Sequence, residues 1–559
     1  MVRLFFIQIV EHNDWSERAT KQQTILKTIE AKRGSIYMMD DTGNPVEVVM
    51  NHAVYTVVID PQVTDKEALK EALEKYAKDY IVTDIDKAYE VEGSRYAVVA
   101  KNVPRENAEK LASADVTLWL KKHNSREYPE GEMAAQLLGF VNDDGVGQYG
   151  IEGALNQRLA GKNGLLKTIS DVHNTALSIG NDNIKIAAED GEDIVLSINR
   201  GLQKDTEEIL ANAVQNTIAT NAAAIVMDPG TGEVLAMASV PTYNPAKYNL
   251  VPDWTSYLNY TTDVPYEPAS VCKSFVFAAA LNEGVMTPDS RFFNNTYVVV
   301  DGIRINNATD DVYGEVSMRT ALDYSLNTGS IQALKWLGGD AENVNVNGRK
   351  KLYEYYERLG LGHKTGIEIS EATGIVHEPE EEGLWAPDLV YSQMTFGQGT
   401  SLTMVQVASA FSTIVNGGYR ITPTVLKGTL KNNEIKAEQF DVKNDLTQVI
   451  AESTSAEMRE MLHETREAYL KKDDPRYYLG GKTGTGQVIL ENGEYSAPDG
   501  ETIATYTGFG GTAGELPKYV IVVKMWGEGQ HLDGSRHTKP VFDAISDATI
   551  DHLKIKPKE

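Results

Sequence analysis

Two apolar runs, Ala222-Ala-Ala-Ile-Val-Met227 and Val234-Leu-Ala-Met-Ala-Ser239, are separated by Asp228-Pro-Gly-Thr-Gly-Glu233. Branched and apolar side chains around a Gly-rich turn read as a β-hairpin. This pair limits the architecture more than any other stretch, because everything around it must supply a partner for it. Thr505-Tyr-Thr-Gly-Phe509 and Tyr519-Val-Ile-Val-Val-Lys-Met525 supply two more strands, and Phe542 to Leu553 is an amphipathic closing helix. Gly201 to about Gln215 is helix-like just before the hairpin, and many helical segments lie between the hairpin and the late strands. That order describes an antiparallel sheet flanked by helices.

The first 190 residues have a different texture. Ser16 to about Lys32 alternates in a helix-compatible way, and Arg33-Gly-Ser-Ile-Tyr37 and Val54-Tyr-Thr-Val-Val-Ile59 read as strands. Thr64 with Glu67 three residues on suggests the cap of a helix over Asp65 to Tyr80, whose Leu69, Leu73 and Tyr76 share a face. The polar passage between Asn174 and Asp193 precedes the strand Ile194-Val-Leu-Ser-Ile198 and suits a boundary. The expected organisation is multidomain α+β, with residues 1–190 as one domain and 191–559 as the other.

Composition narrows the function. Of 559 residues, 42% are hydrophobic, which suits packed domains rather than disorder. A formal charge of −27 repels phosphate backbones, so nucleic-acid binding is disfavoured. A single cysteine, Cys272, excludes intrachain disulfides, cysteine-rich zinc sites and Cys-x-x-Cys redox chemistry. Apolar stretches such as Phe275 to Leu281 fall far short of the roughly 20 residues that cross a bilayer. The opening Met1 to Val10 is too short to span and lacks a small-residue cleavage site.

Serine becomes a nucleophile only when a base takes its proton, and a lysine one helical turn away can do so once its surroundings lower its pKa from about 10.4 toward about 7 to 8. Ser270-Val-Cys-Lys273 has that spacing and is the only Ser-x-x-Lys in the chain. Cys272 points to the opposite, packed side. The buried-looking run Phe275 to Leu281, with Gly284 as its stop, places Ser270 at a helix start, where free N–H groups favour developing negative charge. Ser-x-Asn occurs at Ser197 and Ser325, and Lys-Thr-Gly at Lys364 and Lys482. Ser325-Leu-Asn327 interrupts a helical pattern from Met318 to Leu337, 55 residues after Ser270, whereas Ser197 lies on a strand. Lys482-Thr-Gly-Thr485 follows Gly480-Gly481 and precedes Gln487-Val-Ile-Leu490, read as a strand, whereas Lys364 sits in a helix-stop turn. The second copy of each motif is therefore preferred.

In that order the three motifs resemble the active-site set of penicillin-binding proteins and serine β-lactamases. Ala224 to Ser239, Tyr266-Glu-Pro-Ala-Ser-Val-Cys-Lys273, Thr395-Phe-Gly-Gln-Gly399 and Gly480 to Gln487 look like the transpeptidase domain of class B penicillin-binding proteins. Arg33-Gly-Ser-Ile-Tyr37, Arg126-Glu-Tyr-Pro129 and Gly147-Gln-Tyr-Gly-Ile-Glu152 look like their pedestal domain. The resemblance implies a peptidoglycan D,D-transpeptidase that is also acylated by β-lactams. Ser270 would attack the penultimate D-Ala carbonyl of a stem peptide, with Lys273 as proton acceptor. Ser325 would relay a proton to the leaving amine, Asn327 would hold the substrate amide, and Lys482 would set the local potential. Thr483, Gly484 and Thr485 would line the substrate strand, the threonines holding the terminal carboxylate, and the N–H groups of Ser270 and Thr485 would form an oxyanion hole. The family also implies an N-terminal membrane anchor with both domains extracytoplasmic, and partnership with a polytopic glycan polymerase and a division complex. No such anchor occurs in this sequence, so the expectation is an extracytoplasmic piece of a longer protein. Tyr266-Glu-Pro and the C-terminal end favour the septal branch. The sequence departs from the family at Ala269, where glycine is general, at Cys272, and at Met38-Met39.

Other chemistries fit less well. Gly145-Val-Gly-Gln-Tyr-Gly150 matches a dinucleotide fingerprint literally, but no βαβ series surrounds it. Ten histidines include no His-Glu-x-x-His, and no Gly-x-Ser-x-Gly elbow occurs. No cofactor or metal is expected. Within the acyl-serine class, a D,D-carboxypeptidase or β-lactamase-like hydrolase, or a non-catalytic cell-wall scaffold or β-lactam sensor, remain as alternatives.

Overall fold

The computed structural model describes residues 24–169, 184–437, 447–468, 473–489, 495–497 and 500–559, with short pieces at 2–5, 9–11 and 15. The hairpin is present as β1 (Asn221–Met227) and β2 (Val234–Val240). Its turn is held by the Asp228 carboxylate, which accepts from the N–H groups of Gly230 at 2.7 Å and Thr231 at 3.2 Å. Gly232 has φ +79°, and a Cβ there would lie 2.4 Å from the Thr422 carbonyl oxygen, so glycine is required. With β3 (Tyr477–Gln487), β4 (Thr502–Thr512) and β5 (Tyr519–Trp526) the hairpin makes a five-stranded antiparallel sheet of order β2-β1-β5-β4-β3.

Both faces of this sheet are apolar because both are covered. On one face Ala222, Ala224, Val226, Ile521 and Val523 meet Leu202 and Leu210 of helix α1 (Arg200–Asn216) and Phe542 and Ile545 of the terminal helix Lys539–His552. Asn199 caps α1 by accepting from Leu202 N–H at 2.8 Å. Gln203 then ties α1 to β2 through both backbone groups of Met237, at 2.8 and 2.9 Å. On the other face Ala223, Ile225, Val520 and Val522 join a core with helix α2 (Cys272–Asn282) and the helices Met404–Val415 and Glu452–Ala468. The expected break in the Met318 to Leu337 pattern is real, giving α3 (Met318–Asp323) and α4 (Asn327–Leu337).

The N-terminal region is mixed α+β. Its main sheet runs Glu434–Ala437, Leu426–Lys431, Ile194–Asn199, Ile36–Met39, Pro45–Ile59 and Ala97–Pro104, with Trp119–Glu127 also paired to Pro45–Ile59. Two of these strands come from late in the chain, so the halves share one sheet. The three family-like N-terminal segments converge on Glu152, which is fully buried and bridges Arg33 and Arg126, its oxygens 2.7 Å from each Nε. Arg126 also donates to Gly34 O at 2.8 Å.

Several expectations need correction. Where the Ser16–Lys32 helix is described, Thr24–Ile29 is a strand paired antiparallel with Gly164–Ile169. Four of its six residues are β-branched, and a distant partner strand outweighed the local helical pattern. The helix at 66–76 is capped by Asp65, accepting from Ala68 N–H at 2.8 Å, while the Thr64 hydroxyl donates to Thr117 O. Lys482-Thr-Gly lies inside β3 rather than before a strand. Two of the three motif glycines pack against the protein's own backbone, a Cβ on Gly147 sitting 1.9 Å from Glu152 O and one on Gly150 2.3 Å from Leu137 O, while Gly145 lies in open space with a left-handed φ of +77°. Gly147 and Gly150 serve close packing and Gly145 a turn, and among the described residues no βαβ unit surrounds them.

Candidate active site

Ser270 lies in the turn Ala269–Val271 that leads into α2. Ten of the eleven α2 residues are buried, Lys273 among them at 1% exposure and Cys272 at 0%. The thiol is thus a core residue, and burial pushes its pKa up. Lys273 is the anomaly, an amine one turn from a serine inside an apolar helix. Ala269 has φ +52°, a left-handed conformation that glycine adopts without strain, so the departure at this position has a conformational cost.

Ser325 sits in the break between α3 and α4, also with a left-handed φ of +54°. That conformation carries the hydroxyl to two lysines. Lys273 Nζ donates to Ser325 O and, at 3.2 Å, to Ser325 Oγ. Lys482 Nζ, from β3, donates to the same Oγ at 2.9 Å. Two ammonium groups on one hydroxyl in a buried place cannot both hold their protons cheaply. Burial, then repulsion from Lys482, drives the Lys273 pKa well down. Burial lowers Lys482 to about 7, opposed by the Asp323 charge. Ser325 Oγ accepts from both amines, which leaves its own O–H free to donate.

β3 is the edge strand of the sheet and is wedged against the Ser270 turn. A Cβ on Gly484 would lie 2.5 Å from Pro268 O, so the glycine of Lys-Thr-Gly is what permits this approach. Gly397 does the same from another side, with a Cβ position 2.2 Å from Ala269 O. Thr485 Oγ1 accepts from Gly534 N–H at 3.1 Å. Asn327 Nδ2 donates to Asn306 O at 2.8 Å. Ser270, Ser325, Asn327, Lys482, Thr483 and Thr485 all line one cleft of about 660 Å³. Lys273 is buried behind it and Gly484 faces Pro268.

The rejected motif copies lie elsewhere. Ser197 is on a buried strand and donates to Val234 O at 2.7 Å, and Lys364 follows the helix Val346–Leu359 in a turn. Sequence reasoning did not single out Asp323, which lines the cleft, accepts from Thr465 Oγ1 at 3.0 Å and is the anionic group acting on Lys482. Nor did it find Arg304 or Gly534, whereas Gln398, which also lines the cleft, lies in the segment Thr395–Gly399 that the family resemblance picked out. Asp323 stands two residues before a motif serine, which was the one available signal. Arg304 sits on a hairpin and Gly534 opens the helical turn Gly534–Thr538, and the neighbours of both are set only by folding.

The sheet between two helical layers, with a Ser–Lys pair at a helix start and a Lys-Thr-Gly edge strand, defines an acyl-serine enzyme scaffold. The chain belongs to the penicillin-binding proteins: residues 222–547 match the penicillin binding protein transpeptidase domain and residues 28–196 the penicillin-binding protein dimerisation domain. Among its relatives, stage V sporulation protein D of Bacillus subtilis is 26% identical over all of this chain and 84% of that protein. The peptidoglycan D,D-transpeptidase FtsI of Buchnera aphidicola is 26% identical over all of this chain and 93% of its own. A crystal structure of a peptidoglycan synthetase from Bifidobacterium adolescentis shares the fold, with a TM-score of 0.72 at 22% identity over 96% of this chain and 98% of the other.

Proposed function

We propose that this chain is a serine D,D-transpeptidase that cross-links peptidoglycan stem peptides and is acylated by β-lactams. The observation that carries the reading is the shared contact of Lys273 and Lys482 with Ser325 Oγ, in the cleft that also exposes Ser270. Neutral Lys273 takes the proton of Ser270 Oγ, one helical turn away and within reach of the lysine stem. The freed oxygen attacks the penultimate D-Ala carbonyl while the Ser270 and Thr485 N–H groups receive the developing oxyanion. Ser325 hands its proton to the departing D-Ala nitrogen and recovers one through the lysines. Asn327, whose amide nitrogen is held by Asn306, offers its oxygen to a substrate N–H. Lys482 with Thr483 and Thr485 receives the terminal carboxylate. The amine of a second stem peptide then displaces Ser270 from the acyl ester, which restores the hydroxyl and closes the cross-link. The outer edge of β3 is open to a peptide lying alongside as an added strand.

The same reading divides the chain near residue 190 into a non-catalytic pedestal and the transpeptidase domain, and places both outside the cytoplasm, tied to the membrane and to a polytopic glycan polymerase of the division complex. Among the described residues no helix is long and apolar enough to cross a membrane.

The test is labelling with a fluorescent penicillin, followed by mass spectrometry. Wild type should carry the adduct on Ser270, Ser270→Ala should carry none, and Lys273→Ala should label about 10²–10⁴-fold more slowly. Incubation with a stem-peptide donor and an amine acceptor should give cross-linked product. Free acid alone would indicate a hydrolase, and no turnover at all a scaffold or sensor.

A further inference from the structure

The cleft has a second cationic feature that the acyl-transfer steps do not use. The strand Ile303–Asn306, paired in a hairpin with Tyr297–Val300, lines the same cleft as the Lys-Thr-Gly strand, and Arg304 is part of that lining. Its guanidinium carbon lies 3.8 Å from the centre of the Tyr297 ring, and its Nε donates to Asn306 Oδ1 at 2.7 Å. Ring and amide together fix the plane of the group, which removes much of the rotamer freedom an exposed arginine would otherwise lose on binding. Among the described residues Arg304 has the Tyr297 ring and Asn306 as partners and no ion pair, although the chain carries 80 acidic residues against 53 basic ones. A pre-positioned fork with unpaired N–H groups suits a planar carboxylate.

Its location says which carboxylate. Asn306 carries Arg304 through its side chain and Asn327 through its carbonyl oxygen, at 2.8 Å from Asn327 Nδ2. Residues 304 and 306 share a strand face, about 7 Å apart along the chain. One extended peptide residue covers about 3.5 Å, and a side chain adds the remainder. We infer that Arg304 is a specificity-determining residue that binds a side-chain carboxylate on the donor residue immediately preceding the D-alanyl-D-alanine pair. The inference rests on the transpeptidase reading and deepens it. Lys482 with the threonines takes the carboxylate at the end of the peptide, Arg304 takes the one upstream, and the scissile bond is held between two fixed charges.

The experiment compares two synthetic donors ending in X-D-Ala-D-Ala, where the side chain of X ends in a carboxylate in one and a carboxamide in the other. The readout is the acid-to-amide ratio of kcat/KM, with covalent penicillin labelling of Ser270 used only to show that each variant is folded. Wild type should prefer the acid by about tenfold. The ratio should fall to about one in Arg304→Ala, recover partly in Arg304→Lys and drop below one in Arg304→Glu. A ratio that stays at its wild-type value in Arg304→Ala, or a wild type that prefers the amide, overturns the inference and leaves transpeptidation standing. Penicillin labelling with turnover of neither donor overturns both.

Discussion

At the residue scale the site is organised around Ser325 rather than around the nucleophile. Two lysines that would repel each other in water are brought to one hydroxyl, and each lowers the cost of its neighbour losing a proton. Lys273 is pushed down by burial first and by Lys482 second. Removing the second cause in Lys482→Met should therefore raise the Lys273 pKa, because the neutral base no longer gains from escaping repulsion. Acylation needs the neutral amine, so its acid limb should move to higher pH, by about one unit or less since burial persists. Penicillin acylation rates from pH 5 to 10 check this, and an unmoved or downward-shifted limb would contradict it. Ala269 gives a second residue-scale expectation. With φ +52° it holds a strain that glycine lacks, so Ala269→Gly should stabilise the fold by about 0.5–1 kcal/mol in denaturant unfolding while still labelling with penicillin.

At the scale of elements, the cleft depends on pieces pressed together through glycines and one buried carboxyl. Glu267, three residues before the nucleophile, accepts from Gly399 N–H and Tyr495 O–H, both at 2.9 Å, and so ties the 397–399 loop to the start of the Ser270 turn. Its other oxygen is buried and has no hydrogen-bond partner among the described residues. Burial raises its pKa from 4.5 to about 7. Below about 4.5 both folded and unfolded forms hold the proton, and the stabilisation from the neutral carboxyl is complete. As pH rises toward 7 the unfolded chain ionises while the native state keeps its proton, so stability falls, and above about 7 the loss is complete. Glu267→Gln lacks this titration. Its Tm should gain on wild type between pH 5 and 7.5, by roughly 2 °C, measured by scanning calorimetry at matched ionic strength. Equal slopes for the two proteins would place the Glu267 proton elsewhere.

On the scale of the whole molecule, the two halves are joined by shared sheet and by charge. Ile194–Asn199 pairs with Ile36–Met39 on one side and Leu426–Lys431 on the other, so the N-terminal sheet is completed from late in the chain. Beneath it Glu152, at 0% exposure on the short helix Gly150–Ala154, is the one carboxylate among the described residues that pairs with Arg33 and Arg126, whose side chains are exposed by 10% and 4%. Glu152→Ala leaves two guanidinium groups buried without their counter-charge, and should cost about 3–5 kcal/mol. Chemical denaturation should show the loss, and a loss below about 1 kcal/mol would mean that water replaces the carboxylate.

The chemistry of the site was legible in sequence because it needs particular side chains at particular spacings. Ser270 and Lys273 are one helical turn apart in any helix, and Lys482-Thr-Gly needs its glycine wherever a strand approaches another backbone closely. The hairpin at Asp228 to Glu233, the α1 helix and the late strands were legible for the same reason, since their local patterns and their tertiary partners agree. Where pattern and partner disagreed, as at Thr24–Ile29, the local reading failed, because strand pairing with Gly164–Ile169 is a contact across about 140 residues that no window contains. Sequence determined which groups this protein can use: one hydroxyl nucleophile, two amines and a threonine strand. Only the tertiary structure decided that both amines meet at Ser325, that the Asp323 charge acts on Lys482, and that Arg304 lines the same cleft, because burial and distance set the charge states and reach of these groups and both arise only when remote segments pack.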